Sequence, residues 1–248
     1  MEDSLLTLRS LKRLSVLLFF AAALFQISCS SLPVSKPLEK PIIRDKPKYT
    51  VSDRLKQYGA LSRSRWARYF SQANVSYPPT EVTLVALKEE KLVEVYVKEG
   101  SWKRVRTLPI CAASGKMGPK LREGDFQVPE GVYEIPYLNP NSRFHLSLRV
   151  NYPNEFDRKM AQGSTREGDL GGDIMIHGEC LSRGCIAVGN LLAEDIFVLV
   201  ADAGVENTRV IIAPFDLRER PVSKAELELL PSWTPVLYEE IYRELSLL

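Results

Sequence analysis

The stretch EVTLVALKEEKLVEVYVKEGSWKRVRTLPICAAS, residues 81–114, decides the fold class, because apolar and polar residues alternate along much of it. A period of two is typical of β-strands that bury one face. The period is broken at Glu-Glu-Lys, residues 89–91, and at Glu-Gly-Ser, residues 99–101, and both tripeptides suit tight turns. The stretch therefore predicts a meander of antiparallel strands, three in all.

Beyond this meander, the C-terminal half of the chain predicts further strands and one helix. The predicted strands lie at Gly131–Ile135 and within residues 143–153, 172–178 and 208–215. The sequence NLLAEDIFVLVADAG, residues 190–204, predicts a helix that Asn190 caps and Gly204 ends. We therefore expect a mainly β, α+β domain built as a β-barrel or sandwich with flanking helices.

Helices are predicted on both sides of this central domain, which spans residues 77–217. Residues 51–76 predict an N-terminal helix whose loose apolar stripe, with Leu61 and Trp66 in it, docks on the domain. Attraction of its arginine-rich outer face to an anionic wall polymer is the alternative. Residues 218–248 predict a pair of C-terminal helices separated by a proline-containing break.

The N-terminus has the features of an export signal. Basic residues precede LSVLLFFAAALF, residues 14–25, an apolar run that is short for a bilayer span and typical of a signal-peptide core. QISCS, residues 26–30, resembles a bacterial lipobox, in which Cys29 is acylated and becomes the mature N-terminus. Residues 1–29 are therefore expected to form a signal peptide with a lipobox-like end. Ordinary cleavage near Ser28–Ser31, with loss of Cys29, is the alternative.

The residues that follow Cys29 are expected to tether the folded domain to a membrane. Residues 30–50 are rich in proline and lysine and lack an apolar period, which predicts a partly extended linker. Ser30 after an acylated cysteine favours the outer membrane over the inner. The sequence thus predicts a periplasmic protein with a lipid anchor, and a soluble periplasmic protein is the alternative.

Composition and cysteine content narrow the possible functions. The chain has 248 residues, 45% of them apolar, and a formal net charge of +2. It has no lysine- and arginine-rich block with interleaved aromatic residues, so no nucleic-acid partner is predicted. Besides Cys29, the cysteines are Cys111, Cys180 and Cys185, an odd number that leaves a free thiol in an oxidising compartment. A Cys180–Cys185 or a Cys111–Cys180 disulfide is possible, and the second pairing leaves Cys185 free.

The sequence IMIHGECLSRGCIAVGN, residues 174–190, places His177 at the end of a predicted strand and Cys185 in the loop that follows. A thiolate is the reactive form of cysteine, and a neighbouring imidazole makes it accessible near neutral pH. Gly178 and Gly184 allow the loop to fold tightly. The amides of Gly184 and Cys185 can then donate to a developing oxyanion.

Other interpretations of this loop involve a metal or an unreactive thiol. His177, Cys180 and Cys185 supply three nominal zinc ligands, but their spacing matches no paired Cys-x-x-Cys pattern and the chain has no second cluster. No metal and no other cofactor is therefore predicted. A buried and unreactive Cys185 remains the other alternative.

The His-Gly pair at residues 177–178 and Ser-Arg-Gly-Cys at residues 182–185 resemble the signature of the L,D-transpeptidase catalytic-domain family of YkuD type. The flanking sequences at residues 118–135 and 142–158 resemble its YafK-like branch, and the likeness covers about residues 75–215. The resemblance implies that Cys185 is the nucleophile and His177 its base, and that Ser182, Gly184 and Gly178 shape the loop. It also implies a mixed, mostly β catalytic domain.

The resemblance implies an exported cysteine acyl-enzyme that acts on peptidoglycan stem peptides at the L-centre of diaminopimelate. The YafK-like branch is associated with hydrolysis of the link between peptidoglycan and the murein lipoprotein, and we expect that reaction here. Arg183 and Ala187 depart from the residues that many family members have, and both suit this branch. A transpeptidase that forms 3-3 cross-links or attaches proteins to peptidoglycan, and an inactive peptidoglycan-binding module, are the alternatives.

Because stem peptides carry carboxylates, cationic side chains are expected near the reacting thiol. Arg183, Arg149 and Lys120 are the candidates, and plain surface charge is the alternative for each. His145 and Tyr152 complete the predicted substrate-binding set, although a core position is the alternative for His145.

Overall fold

A computed structural model describes residues 48–162 and 169–248 of the chain. The predicted signal peptide, Cys29 and most of the tether lie outside the described residues. Within those residues, no helix combines the length and apolarity that a membrane crossing requires.

The described residues form a long N-terminal helix, ten strands and four further α-helices. In chain order the elements are α1 (Val51–Ala73), β1 (Val82–Leu87), β2 (Leu92–Glu99), β3 (Ser101–Pro109), β4 (Ala112–Ala113), β5 (Gly131–Glu134), β6 (Leu138–Asn139), β7 (Ser147–Arg149), α2 (Glu155–Ala161), β8 (Met175–His177), β9 (Ile186–Ala187), α3 (Asn190–Ala203), β10 (Thr208–Ala213), α4 (Lys224–Glu228) and α5 (Thr234–Ser246).

The strands divide into two sheets of five, so the mainly β, α+β prediction is confirmed and the fold is not a closed barrel. The first sheet has the order β3-β2-β1-β10-β5. Its β1, β2 and β3 pair antiparallel, as the alternating stretch at residues 81–114 predicts, while β10 lies parallel to β1. The parallel pairing needs a long crossover connection, and the chain between β1 and β10 supplies the whole second sheet and α3.

The second sheet, in the order β4-β9-β8-β7-β6, positions the candidate site. The strand register sets two parallel rows of side chains across it. The apolar row consists of Leu138, Leu148, Ile176, Ile186 and Ala113. The site row consists of Asn139, Ser147, His177, Ala187 and Ala112. Because successive side chains in a strand point to opposite faces, the site row faces away from the apolar row.

Two local predictions need correction. The strand predicted within residues 143–153 is reduced to Ser147–Arg149. On its N-terminal side, His145 adopts a left-handed backbone conformation with a φ of 70° and bends the chain. Gly189, not Asn190, is the N-terminal cap of α3. The Asn190 side chain instead accepts a hydrogen bond of 2.7 Å from the Glu179 amide and so fixes the loop that follows β8.

The N-terminal helix α1 packs on α3 through a narrower face than the sequence pattern predicts. Trp66 is fully buried, and its indole N–H donates to the Asp195 carbonyl at 2.8 Å. Leu61, which belongs to the predicted stripe, is 68% exposed. The face that packs is centred on Trp66 and Phe70, so Leu61 lies outside it.

Candidate active site

His177 is the last residue of β8 and is 1% exposed. Its Nδ1 lies 2.6 Å from the carbonyl oxygen of Gly178. A carbonyl can only accept a hydrogen bond, so Nδ1 carries the proton that is donated. In the neutral ring this tautomer leaves Nε2 with a free lone pair, which is the state that a general base requires.

The surroundings of His177 keep its ring neutral and restrict its orientation. Burial lowers the pKa of His177, while the hydrogen bond to Gly178 and the charge of Glu179 oppose that shift. The Phe144 ring stacks on the imidazole, with the ring centroids 4.7 Å apart and the planes inclined by 28°. The imidazole is therefore held in a form that can accept a proton near neutral pH.

Cys185 is half-buried and is the free cysteine of the described residues. It directly precedes β9, in which Ala187 pairs with His177 in parallel register. Since side chains alternate along an extended strand, Cys185 and Ala187 point to the same face, and that face also carries His177. The sheet register therefore brings the thiol and the imidazole to one surface.

The Cys185 thiol carries its proton at rest. Burial raises its pKa, the Met175 backbone opposes this, the Asp173 carboxylate raises it further and Lys120 lowers it. The Sγ–H donates to the Asp173 carbonyl oxygen at 3.6 Å. A protonated thiol that shares a face with a neutral imidazole needs that base to take its proton as the thiol reacts.

Of the two disulfide pairings that the sequence leaves open, the structure contains Cys111–Cys180. Cys180 lies in the loop between His177 and Cys185, and the Cys111 amide donates to the Ala187 carbonyl at 2.8 Å. The disulfide therefore ties this loop to the opposite edge of β9. A disulfide sulfur is not a thiolate, so Cys180 is lost as a zinc ligand. The described residues contain no group of three or more His, Cys, Asp or Glu side chains that could hold a metal ion.

A serine that sequence reasoning missed, Ser114, fixes the loop of Ser182 and Gly184. Ser182 Oγ donates to the Cys185 carbonyl at 2.7 Å and accepts from the Ser114 amide at 3.0 Å. The Gly184 amide donates to Ser114 Oγ at 2.6 Å. This amide is thus already paired, contrary to the expectation that it faces an oxyanion. No pattern in the sequence singles out Ser114, since the contact joins residues 70 positions apart.

The two glycines of the loop are needed for different reasons. Gly184 has a φ of +95°, a conformation that residues with a Cβ rarely adopt. Gly178 is needed because of close packing, since a Cβ there would lie 2.6 Å from Asn190 Oδ1 and 2.9 Å from the Phe144 carbonyl. Both geometries agree with a loop-shaping role.

Two of the predicted substrate-binding residues lie near the site and remain accessible. Arg149 follows Ser147 by two positions on β7, so it shares the face of the site row, and its guanidinium pairs with the Asp173 carboxylate. Arg183 is exposed in the loop before Cys185 and lies over the Phe126 ring at 5.7 Å.

The other three candidates are engaged inside the protein. Tyr152 is 2% exposed and its hydroxyl donates to the Leu170 carbonyl at 3.2 Å, so its predicted substrate contact is wrong. Lys120 is 7% exposed and its ammonium lies 2.6 Å from Asp125. His145 Nε2 lies 2.9 Å from the Glu194 carboxylate, which favours the alternative of a structural histidine.

Comparisons with known proteins identify a similar sequence, similar structures and a matching family. In sequence, the chain is 36% identical over 144 residues to YafK of Escherichia coli strain K12, and the alignment covers 56% of each protein. The chain therefore spans little more than half the length of this relative.

Two solved structures are similar to parts of the chain. The helical cell shape determining protein Pgp2 from Campylobacter jejuni is 26% identical, over 60% of this chain and 55% of that one, with a TM-score of 0.45. L,D-transpeptidase 1 from Mycobacterium tuberculosis is 16% identical, over 54% of this chain and 62% of that one, with a TM-score of 0.32.

The family is decided by a model that matches more than half of the chain. The YkuD model, which describes the L,D-transpeptidase catalytic domain, matches residues 81–212. The matched segment runs from the residue before β1 to the last residue but one of β10, and it contains both His177 and Cys185. The chain belongs to the L,D-transpeptidase catalytic-domain family.

Proposed function

We propose that this protein is an exported cysteine acyl-enzyme that cleaves peptidoglycan stem peptides at the L-centre of diaminopimelate. Its favoured reaction is hydrolysis of the bond between peptidoglycan and the murein lipoprotein. The observation that carries the proposal is that a free thiol and a histidine with a fixed tautomer share one face of the second sheet. Family membership and the likeness to YafK support the same chemistry.

The reaction begins with attack of Cys185 Sγ on the carbonyl of the diaminopimelate L-centre. His177 Nε2 takes the thiol proton as the S–C bond forms, and the carbonyl oxygen becomes an oxyanion. The Cys185 amide is the candidate oxyanion donor, because the Gly184 amide is paired with Ser114. The tetrahedral species then breaks its C–N bond, and the imidazolium returns the proton to the leaving amine.

The resulting thioester at Cys185 determines which product forms. Water attacks it in hydrolysis, with His177 again accepting a proton, and the free carboxylate leaves. An amine from a second chain gives transpeptidation instead. Both reactions share the thioester, so the acceptor distinguishes them.

Cationic groups beside the thiol suit a substrate that carries carboxylates. Arg149 and Arg183 lie at this surface, and a guanidinium binds a carboxylate through parallel hydrogen bonds. We assign Arg183 to the substrate first, because Arg149 already pairs with Asp173.

Incubation of the purified protein with lipoprotein-bearing sacculi tests the proposal. We expect release of lipoprotein, with stem peptides that end at diaminopimelate left in the sacculi, and no release by Cys185→Ala. Accumulation of 3-3 cross-linked muropeptides would assign transpeptidation instead. Binding to sacculi without any product, together with no acylation of Cys185 by a carbapenem in mass spectrometry, would indicate an inactive binding module.

A further inference from the structure

Ser147 is a buried hydroxyl next to His177 that the proposed reaction does not yet use. It is 1% exposed, and its Oγ has no hydrogen-bond partner among the described residues. Most buried polar side-chain atoms in proteins have such a partner, because leaving one unpaired opposes folding. The unpaired hydroxyl of Ser147 is therefore expected to have a role that offsets its unfavourable effect on stability.

The strand register sets Ser147 beside the candidate base. Ser147 of β7 is the direct antiparallel partner of His177 of β8. Residues directly opposite in such a pair point to the same face, and their Cβ atoms are about 5 Å apart. The hydroxyl and the imidazole are thus neighbours in the site row, while Leu148 and Ile176 occupy the opposite face.

The charge that His177 acquires during the reaction accounts for the unpaired hydroxyl. At rest the ring is neutral, and its single N–H, at Nδ1, already donates to the Gly178 carbonyl. The neutral ring therefore has no second N–H that needs an acceptor. When Cys185 loses its proton, the ring becomes a buried cation. A nearby oxygen lone pair then stabilises this cation, since hydrogen bonds and dipole interactions with a charged group are stronger than those between neutral groups.

We propose that Ser147 is a positioning residue whose hydroxyl turns towards His177 and stabilises the imidazolium that forms while Cys185 reacts. This inference rests on the proposed roles of His177 and Cys185. An interaction that is absent at rest and made in the charged state lowers the barrier of the chemical step without strengthening ground-state binding.

One charged group, Glu179, acts on the pKa of His177, and further charged groups surround the site; none of them is altered when Ser147 is changed. The further groups are the Arg149–Asp173 pair and Lys120, of which Asp173 and Lys120 act on the pKa of Cys185, and the His145–Glu194 pair, whose His145 packs against Gly178. A difference between Ser147 variants therefore isolates the contribution of the hydroxyl.

Titration of His177 by NMR tests the proposal without any substrate. The chain has two histidines, so protein labelled with ¹³C-histidine gives two ring signals, and His145 serves as the internal reference. Ser147→Ala should lower the pKa of His177 by roughly one pH unit, because the imidazolium loses a charge-assisted contact. Ser147→Thr retains a hydroxyl and should keep the wild-type value, whereas Ser147→Val, which has nearly the same shape as threonine, should not.

Stability and activity measurements separate this role from a structural one. Ser147→Ala removes an unpaired hydroxyl and strands no partner, so its Tm should stay the same or rise. Its rate of acylation by a carbapenem should fall roughly ten- to a hundred-fold. The matched control is Ser62→Ala on α1, which removes another fully buried and unpaired hydroxyl and should leave His177 and the acylation rate unchanged.

The outcomes for Ser147 and for the proposed function can be told apart. An unchanged His177 titration in both Ser147→Ala and Ser147→Val would overturn the role of Ser147, whatever the protein does to sacculi. A shifted titration in a protein whose wild type releases nothing from sacculi would uphold the hydroxyl–imidazolium contact and reject the peptidoglycan substrate.

Discussion

At the scale of single residues, the chemistry depends on where His177 and Cys185 keep their protons. Burial lowers the pKa of His177 and raises the pKa of Cys185, so both groups are uncharged near neutral pH. The thiol donates to the Asp173 carbonyl, and Nδ1 of the imidazole donates to the Gly178 carbonyl. In the proposed reaction the proton therefore moves from sulfur to nitrogen during the attack rather than before it.

Substitution of either group should disable the enzyme. Cys185→Ala should abolish acylation by a carbapenem, measured by intact-protein mass spectrometry, because no other thiol is free in the described residues. His177→Ala should slow acylation by roughly 10²–10⁴-fold, the usual contribution of a general base. The double variant should be no worse than Cys185→Ala, because the two residues act as a unit.

The control for this series removes the other two cysteines of the described residues, which form the disulfide. The double substitution Cys111→Ala and Cys180→Ala eliminates the disulfide and keeps Cys185, so acylation should continue in folded protein. Full activity of Cys185→Ala on sacculi would contradict the assignment of the nucleophile.

The rate of thiol alkylation at a series of pH values should show whether Cys185 is protonated near neutral pH. Burial and the Asp173 carboxylate raise the pKa of Cys185, so iodoacetamide should label it with a midpoint above the ordinary thiol value of about 8.5. Asp173→Asn removes one of these causes and should lower the midpoint, while unfolding in urea should restore the ordinary value. A midpoint below about 8.5 in the folded protein would indicate a preformed thiolate and reject the neutral pair.

At the scale of elements, the two faces of the second sheet differ: one packs in the core and the other carries the candidate site. Its apolar row includes Leu148, Ile176 and Ile186, all 0% exposed, and anchors the sheet in the core. Its site row carries His177 on the opposite face. Several of its strands have only two residues, so the Cys111–Cys180 disulfide and the loop hydrogen bonds must help to hold them in register.

Ser114→Ala should therefore damage the loop that presents the nucleophile. The substitution strands the buried Gly184 amide, which costs about 1–3 kcal/mol of unfolding free energy, and removes the hydroxyl contact between Ser114 and Ser182. We expect a lower Tm together with slower carbapenem acylation, and Ser114→Thr should recover part of both. The exposed Ser101→Ala on β3 is the control. Unchanged acylation in Ser114→Ala would show that the loop keeps its shape without this contact.

Helix α2 carries a carboxyl group that should make stability depend on pH. Burial raises the pKa of Asp157 to about 6, although the Asn154 amide and Tyr133 hydroxyl oppose the shift. In the unfolded chain its pKa is about 3.9, so between these values the folded state binds more protons and stability falls as pH rises. Above the folded pKa, the buried carboxylate opposes folding in full.

Substitution of Asp157 should remove this dependence. The unfolding free energy of Asp157→Asn relative to wild type should rise by on the order of 2 kcal/mol between pH 4 and pH 7. Urea unfolding at several pH values measures it, and Glu155→Gln, an exposed site on the same helix, is the control. A difference between Asp157→Asn and wild type that stays constant with pH would contradict the raised pKa.

The sequence predicts the strands and helices that a local residue pattern specifies, and it misses side-chain contacts between segments that are distant in the chain. The alternation at residues 81–114 predicts the meander, because a strand pattern needs no partner to be recognised. The burial of Tyr152 and the pairing of Ser114 with Gly184 escape prediction, since both depend on segments far along the chain. His177 and Cys185 could be chosen from their motif, but their shared face follows from the parallel register of β8 and β9.

At the scale of the whole molecule, the C-terminal helix supports the site from outside the family-matched segment. The Tyr238 hydroxyl of α5 donates to Glu130 at 2.8 Å, and Glu130 also binds the buried Lys88 ammonium at 2.9 Å. Lys88 in turn donates to the Gly118 and Val128 carbonyls. The segment between these residues, which packs on Gly184 through Gln127, is thereby fixed to α5.

The anchoring of the whole molecule is predicted from residues outside the described ones. If Cys29 is acylated, wild-type protein expressed with its own N-terminus should sediment with outer membranes and incorporate labelled palmitate, since each buried methylene contributes about 0.8 kcal/mol. Cys29→Ser should lose the label, whereas Cys185→Ala should keep it, because that thiol lies in the folded domain. Absence of palmitate from the wild type, with the protein recovered in the soluble periplasmic fraction, would favour ordinary signal cleavage. The proline-rich segment would then not connect the folded domain to a membrane.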